Sequence, residues 1–240
     1  MAVHERYRDF MADQRQFFDE LITEDWASYA SPVWDEIRRY ELDKIFARVQ
    51  PARILDMGCG CGFHDAEMAL RPFVEQVDAF DYSSKSVEKA NEAYPHSKVK
   101  RFVADLATFA PENRYDLVAS FQVYEHLEDV GAYFDACRRA CAPGGMIVIV
   151  TPNRTRLNNR IRNWRGLPDE LCDPQHFREY TIADIHADAA RHGFEPAGGF
   201  GYGLYGWPWL ERIPHRVRLR LGAIVPSIAH GIAAFARAPR

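Results

Sequence analysis

Two stretches of this chain place reactive side chains at spacings with chemical consequences. In "ARILDMGCGCGF", residues 52–63, the acid Asp56 precedes a run in which Gly58, Gly60 and Gly62 alternate with Cys59 and Cys61. Glycines so placed allow left-handed backbone and let a ligand lie against bare main chain. Farther on, "YEHL" sets Glu125 beside His126, and "CDPQHFREYT" carries His176. Histidine is the usual general base near neutral pH, and an adjacent carboxylate can orient it.

The glycine run could hold a pyrophosphate, a metal ion or a small zwitterion. A dinucleotide loop needs glycine or alanine three positions after its second glycine, and Phe63 stands there. A phosphate-cradling loop needs Lys followed by Ser or Thr, which are absent, and Asp56 would repel a pyrophosphate. Cys59 and Cys61 are one residue apart without a second pair, unlike a structural zinc site, and read better as small buried thiols. A carboxylate, bare N–H groups and a helix start behind them suit a ligand carrying both ammonium and carboxylate.

These residues need a frame. Residues 1–50 read as a helical cap, with helical spacing in "FFDELI" and "VWDEIRRYELDKIFARV" and Pro32 suited to a helix start. Trp26, Tyr29 and Trp34 either pack on the body or form a lid. From residue 51 apolar strands ("RILDM", "QVDAFD", "VKRFVAD", "YDLVASF", "MIVIVTP") alternate with helical stretches, which implies a parallel sheet covered on both faces. The stretch "CGFHDAEMALRPF" is expected to be one helix, and Pro143-Gly144-Gly145 to stop another before "MIVIVTP". A strand in "FEPAGGFGYGLYG" and a last strand in "GIAAFARAP" complete seven. Residues 153–175 show no apolar face, and with 205–230 they are expected as substrate-side inserts in a core domain spanning 51–240.

"ILDMGCGCGF" resembles the first motif of class I S-adenosylmethionine-dependent methyltransferases, an acid followed by G-x-G-x-G after the first strand. The resemblance implies a Rossmann-like, doubly wound, mostly parallel α/β sheet of seven strands with an antiparallel last strand. It also implies S-adenosylmethionine as cofactor and S-adenosylhomocysteine as product. Asp56, Gly58, Cys59, Gly60 and Gly62 would hold the amino-acid end. Asp81, about 20 residues beyond the loop as such geometry asks, would take the ribose hydroxyls, with Tyr82 against the adenine. Asp105 would accept from the adenine amino group beside Leu106, and Gln122 would line the site after the fourth strand.

"YEHL" is similar to the E-H-L segment of ubiquinone-pathway O-methyltransferases, and "CDPQHFREYT" to their histidine segment after the fifth strand. His126, Glu125 and His176 are thereby the candidate catalytic residues; packing roles for both histidines stay open. Trp26, Tyr29, Tyr124, Asn153, Arg154 and Arg178 are the candidates for touching the acceptor. Those relatives carry an earlier acid that helps hold a metal, where this chain has Gln122, so no required metal is expected. The implied reaction moves a methyl group to a hydroxyl of a sugar, polyketide or phenol. An amine acceptor, and a non-catalytic cofactor-binding partner subunit, are the alternatives.

Composition narrows the rest. With 240 residues, 47% apolar and 27% charged, the chain is long enough for a full core and is neither disordered nor repetitive. A net charge of −4 argues against nucleic acid as a partner. Charges in "MAVHERYRDF" and five cysteines, an odd count, point to a reducing cytoplasm. Arginines in the 153–165 insert, and Arg212, Arg216, Arg218 and Arg220 near Trp207 and Trp209, read either as a solvated face or as contacts to an anionic acceptor. They also suit a weak contact with a membrane surface through the C-terminal basic segment.

Overall fold

The computed structural model describes residue 16, residues 18–20, residue 22 and residues 31–240. Trp26, Tyr29 and half of the expected 1–50 cap lie outside the described residues. Ser31 opens the first long helix: its side chain accepts from Trp34 N, Pro32 occupies the first turn, and α1 runs Pro32–Phe46.

The core then alternates as its pattern requires, through β1 (Arg53–Met57), α2 (Phe63–Ala69), β2 (Gln76–Asp81), α3 (Ser84–Ala93), β3 (Val99–Val103) and β4 (Tyr115–Phe121). It continues with α4 (Val130–Ala140), β5 (Cys141–Pro152), α5 (Leu157–Trp164), α6 (Ile182–Arg191), β6 (Glu195–Tyr202), α7 (His215–Ile224) and β7 (Gly231–Arg237). The sheet order is β3-β2-β1-β4-β5-β7-β6. Strands β1–β5 pair parallel, and β7 lies antiparallel between β5 and β6. The chain reverses direction of travel between β1 and β4, the switch point outside which ligands of such sheets bind.

Both faces are covered, and the period of two along each strand divides them. Leu55, Met57, Val118, Ile147 and Ile149 face a cluster with Tyr133, Phe134 and Ile185 of α4 and α6. Ile54, Leu117, Ala119, Val148 and Val150 face Leu42, Ile45, Met68 and Leu219 of α1, α2 and α7. Burial on both sides explains why these strands read as continuous apolar runs.

Three expectations shift. Helix α2 starts only at Phe63, because Gly58, Gly60 and Gly62 all take positive φ and stay in the turn. Strand β5 begins at Cys141, directly where α4 ends, and runs through Pro143-Gly144-Gly145 with a register shift against Tyr115 and Leu117. The 153–175 insert contains α5, whose one buried residue is the polar Asn159; a helix anchored by an amide shows no apolar stripe to find. No helix among the described residues is long and apolar enough to cross a membrane.

Candidate active site

The glycine turn leaves β1 at the carboxyl edge of the sheet. Gly58 and Cys59 donate their N–H groups to Phe80 O at 2.8 and 3.0 Å, so the turn is bonded to the end of β2. A Cβ on Gly58 would stand 2.5 Å from Val123 Cγ2, at φ +79°; the residue must be glycine for both reasons. Asp81, at the end of β2, accepts from Gly60 N and from Ser83 N, each at 2.9 Å on a different oxygen. Each oxygen keeps a lone pair for a vicinal diol. Ser83 Oγ donates to Asp19 of the N-terminal segment, bringing that segment over this edge.

Asp56 is buried at the end of β1, and its Oδ1 has no hydrogen-bond partner among the described residues. Burial, then the charges of Asp65 and Asp81, push its carboxyl well above the usual range. Burial also raises Asp81, against the lowering pull of the backbone N–H groups of Ser83, Gly60 and Tyr82. Acids held this way are relieved by an arriving ammonium or hydroxyl donor. The residues present therefore fit an adenosyl amino acid: an orphaned acid, a paired diol acceptor and bare main chain between them. Cys59 and Cys61 are buried, with thiols pushed up by burial and neighbouring acids, Cys61 to about 12, which favours the protonated thiol. Asp105 follows β3, exposed, with Oδ1 accepting from Ala107 N at 2.8 Å. Leu106 packs on the core beside it.

The second half of the site forms where β4 ends. Gln122 has φ +56°, the one non-glycine residue with positive φ among those described, and such strain marks functional positions. His126 Nδ1 lies 3.2 Å from Gln175 O, its ring 4.8 Å from that of His176 and 5.5 Å from that of Phe18. His176 is buried, and its Nδ1 lies 3.0 Å from Glu179 Oε1. Glu179 in turn accepts from Arg156 and from Cys172 N. Phe177 N donates to Glu125 O at 2.9 Å, docking the 172–180 segment on the 124–126 turn.

The charge states follow from burial. Burial, then the nearby His176, lowers His126 to about 4, against a smaller raising effect of the Gln175 carbonyl. Glu125 is buried and pushed up to about 7, held back by His176 and by Thr151 Oγ1, which donates to Oε2 at 3.0 Å. Burial would raise Glu179 as well, but the hydrogen bonds from His176 and Cys172 N and the Arg156 charge hold it below its usual value. Glu125, His126 and His176 offer ligand atoms within 4.8 Å of one another. Glu125 Oε1 has no partner among the described residues. The other ring nitrogens face a carbonyl and a carboxylate, as in metal-binding histidines. This donor set fits a divalent ion, although Gln122 contributes no charge to it.

The remaining candidates lie elsewhere. Tyr124 is fully buried and its hydroxyl donates to Asp188 Oδ2 at 2.9 Å, so it holds α6 rather than facing a ligand. Asn153 is buried and donates to Pro226 O and Ala229 O, joining β5 to the segment before β7. Arg154 pairs with Asp184 at 3.0 Å, and Arg178 is exposed over the Tyr180 ring. Sequence reasoning missed Thr151 and Glu179 and read Arg156 only as one of the insert arginines; Thr151 meets Glu125 across 26 residues and Arg156 meets Glu179 across 23, and of the three only Glu179 stands in the quoted histidine segment.

The Methyltransferase domain family model matches residues 28–197. A probable S-adenosylmethionine-dependent methyltransferase of Mycolicibacterium smegmatis is 29% identical over 161 residues, 66% of this chain and 58% of that protein. A ubiquinone biosynthesis O-methyltransferase of Bradyrhizobium sp. is 32% identical over 139 residues, 56% of this chain and 50% of the other. The chain thus spans about half the length of the curated relatives it matches. Among solved structures, the N-methyltransferase NodS of Bradyrhizobium japonicum with S-adenosyl-L-homocysteine superposes with TM-score 0.63 at 16% identity, covering 94% and 98% of the two chains. The DhpI complex with SAH superposes at 0.64 and 16%, covering 95% and 96%; both likenesses are of fold. With the family model covering most of the chain and relatives named as S-adenosylmethionine-dependent methyltransferases, the chain belongs to the methyltransferase-domain family, in its class I S-adenosylmethionine-dependent branch.

Proposed function

We propose that the protein transfers a methyl group from S-adenosylmethionine to a hydroxyl of a small-molecule acceptor. The observation that carries the choice of atom is the pairing of half-buried His126 with buried His176, ring centroids 4.8 Å apart, at the carboxyl edge. A neutral amine attacks unaided and needs no such base, whereas a hydroxyl must lose a proton. The ubiquinone-pathway relative, named for O-methylation, supports this reading; NodS, named for N-methylation, keeps the amine alternative in view.

S-adenosylmethionine supplies the electrophilic methyl and its own leaving group, so the chain must bind, align and exclude water. Asp81 holds the ribose hydroxyls, Asp105 the adenine amino group, and Asp56 with the glycine turn the amino-acid end. Nδ1–H of His126 donates to the Gln175 carbonyl, which leaves Nε2 with a lone pair for the acceptor proton. Glu179, anchored by Arg156, fixes the His176 ring beside it. Phe18, in edge contact with both Tyr82 and His126, covers the junction between the two halves.

A second reading is favoured by the unpartnered Glu125 Oε1. Glu125, His126 and His176 would then hold a divalent ion, which would lower the pKa of an acceptor hydroxyl. The insert arginines support an anionic acceptor less than their number suggests. Arg154, Arg156, Arg162, Arg216 and Arg218 each pair with an acid of this chain. Arg160, Arg165, Arg212 and Arg220 remain exposed near Trp164 and Trp209 in sequence, and we assign them a weak contact with anionic membrane surface. The decisive experiment incubates the protein with methyl-labelled cofactor and a panel of phenols, sugars and amines. Label on oxygen, lost in His126→Ala while S-adenosylhomocysteine still binds, is expected; label on nitrogen with His126→Ala active would contradict it.

A further inference from the structure

Two residues beyond the glycine turn stands a side chain with no part in the site described so far. His64, the second residue of α2, lies flat on Phe121 at the end of β4, ring centroids 3.7 Å apart and planes 8° from parallel. Its Nε2 is 3.0 Å from Glu41 Oε2 of α1. Glu41 is buried, and the Tyr202 hydroxyl at the end of β6 lies near it. The ring is thus fixed by α1 and β4. Its other nitrogen, Nδ1, makes no hydrogen bond among the described residues.

The turn carries a surplus of acid. Asp56 and Asp81 flank it, and the cations nearby are engaged. Arg101 grips Asp65 through two bonds of 2.8 and 2.7 Å and holds Tyr94 O at 3.0 Å. Arg38 lies 3.7 Å from the centre of the Phe63 ring and bonds Asp35 at 2.7 Å. An amino-acid ligand brings an ammonium that Asp56 suits, and a carboxylate that Asp56 and Asp81 repel. Along residues 58–69, the turn and its helix, His64 is the single side chain able to carry positive charge.

We propose that His64 binds the α-carboxylate of the cofactor's amino-acid end, with Nδ1–H donating to the ligand and Nε2–H to Glu41. A ring with a carboxylate on each side donates from both nitrogens. Glu41 is the counter-charge that holds the ring in register. This rests on the cofactor pocket proposed above, and one arm of the test checks that pocket separately.

The test is calorimetric titration of the full chain with S-adenosylhomocysteine and with 5′-methylthioadenosine, which keeps the adenosyl thioether and lacks the amino acid. His64→Phe keeps a ring on Phe121 and removes the donor. It is expected to weaken S-adenosylhomocysteine at least tenfold and to leave 5′-methylthioadenosine within twofold. Glu41→Gln is expected to move the first ligand in the same direction by less. Equal weakening of both ligands would assign His64 to packing, and an unchanged S-adenosylhomocysteine affinity would place the carboxylate elsewhere; either overturns the proposal. Should His64→Phe fail to melt cooperatively, His64→Asn is held to the same split. A wild-type chain that binds neither ligand overturns the pocket along with it.

Discussion

The two halves of the carboxyl edge are built by different means. Around Gly58–Gly62 and Asp81 the edge is built from acids at strand ends and a short backbone turn, whose N–H groups are bonded to Phe80 O, Cys59 O and Asp81. Around His126 the groups are side chains, positioned by other side chains and carbonyls across long loops: Gln175 to His126, Arg156 to Glu179 to His176, Thr151 to Glu125. A backbone cradle reads one invariant ligand, and a side-chain assembly can be refitted to many. The difference predicts that damage to the first half appears as lost cofactor affinity, and damage to the second as lost turnover.

The sharpest way to break this division is to remove the histidines. His126→Ala and His176→Ala are each expected to lower turnover by about 10²–10⁴, with S-adenosylhomocysteine affinity within twofold by calorimetry. Glu125→Gln should show the burial of the acceptor half in stability. Burial pushes Glu125 up to about 7 from the 4.5 of a free glutamate, so its contribution is full below pH 4.5 and is lost as pH rises through 7. In chelator-treated protein the variant should match the wild type near pH 4.5. By pH 8 it should exceed it by on the order of 3 kcal/mol, from two to three pKa steps, read by urea melts at both pH values. Gly58→Ala forces a Cβ against Val123 at positive φ. It should cost about 1–3 kcal/mol and at least tenfold in cofactor affinity, while any residual turnover at saturating cofactor stays near normal.

The smaller effects sharpen the acceptor half. Chelation by EDTA is expected to leave turnover within twofold, because Gln122 contributes no charge to the donor set; loss restored by magnesium would select the metal-assisted reading. Co-sedimentation with anionic liposomes, and none with neutral ones, is expected to be weak and to fall with salt. It should fall further when Trp164, 84% exposed, and Trp209, 56% exposed, are replaced by Ser.

What the sequence disclosed follows the same division. The seven strands, their two-faced burial and the acids at positions 56 and 81 were legible because local pattern produces them: alternation, glycine spacing and strand ends. Helix α5 was not, since its anchor is Asn159 bonded to Arg154 O and Glu170 O rather than an apolar stripe. Tyr124 and Asn153 sit in chemically suggestive segments, yet their polar atoms are committed to Asp188 and to the carbonyls of residues 226 and 229, pairings 64 to 76 residues apart. Glu41 and His64 meet across 23 residues and two helices, so neither advertises the other.

The division between the halves is tested most directly by titrating S-adenosylhomocysteine into three proteins: wild type, Asp81→Ala and His126→Ala. One molecule should bind per chain in the wild type and in His126→Ala with affinities within twofold, and Asp81→Ala should bind at least tenfold more weakly. Absence of heat in the wild type, or equal losses in the two variants, would contradict the assignment of cofactor and acceptor to separate halves of this edge.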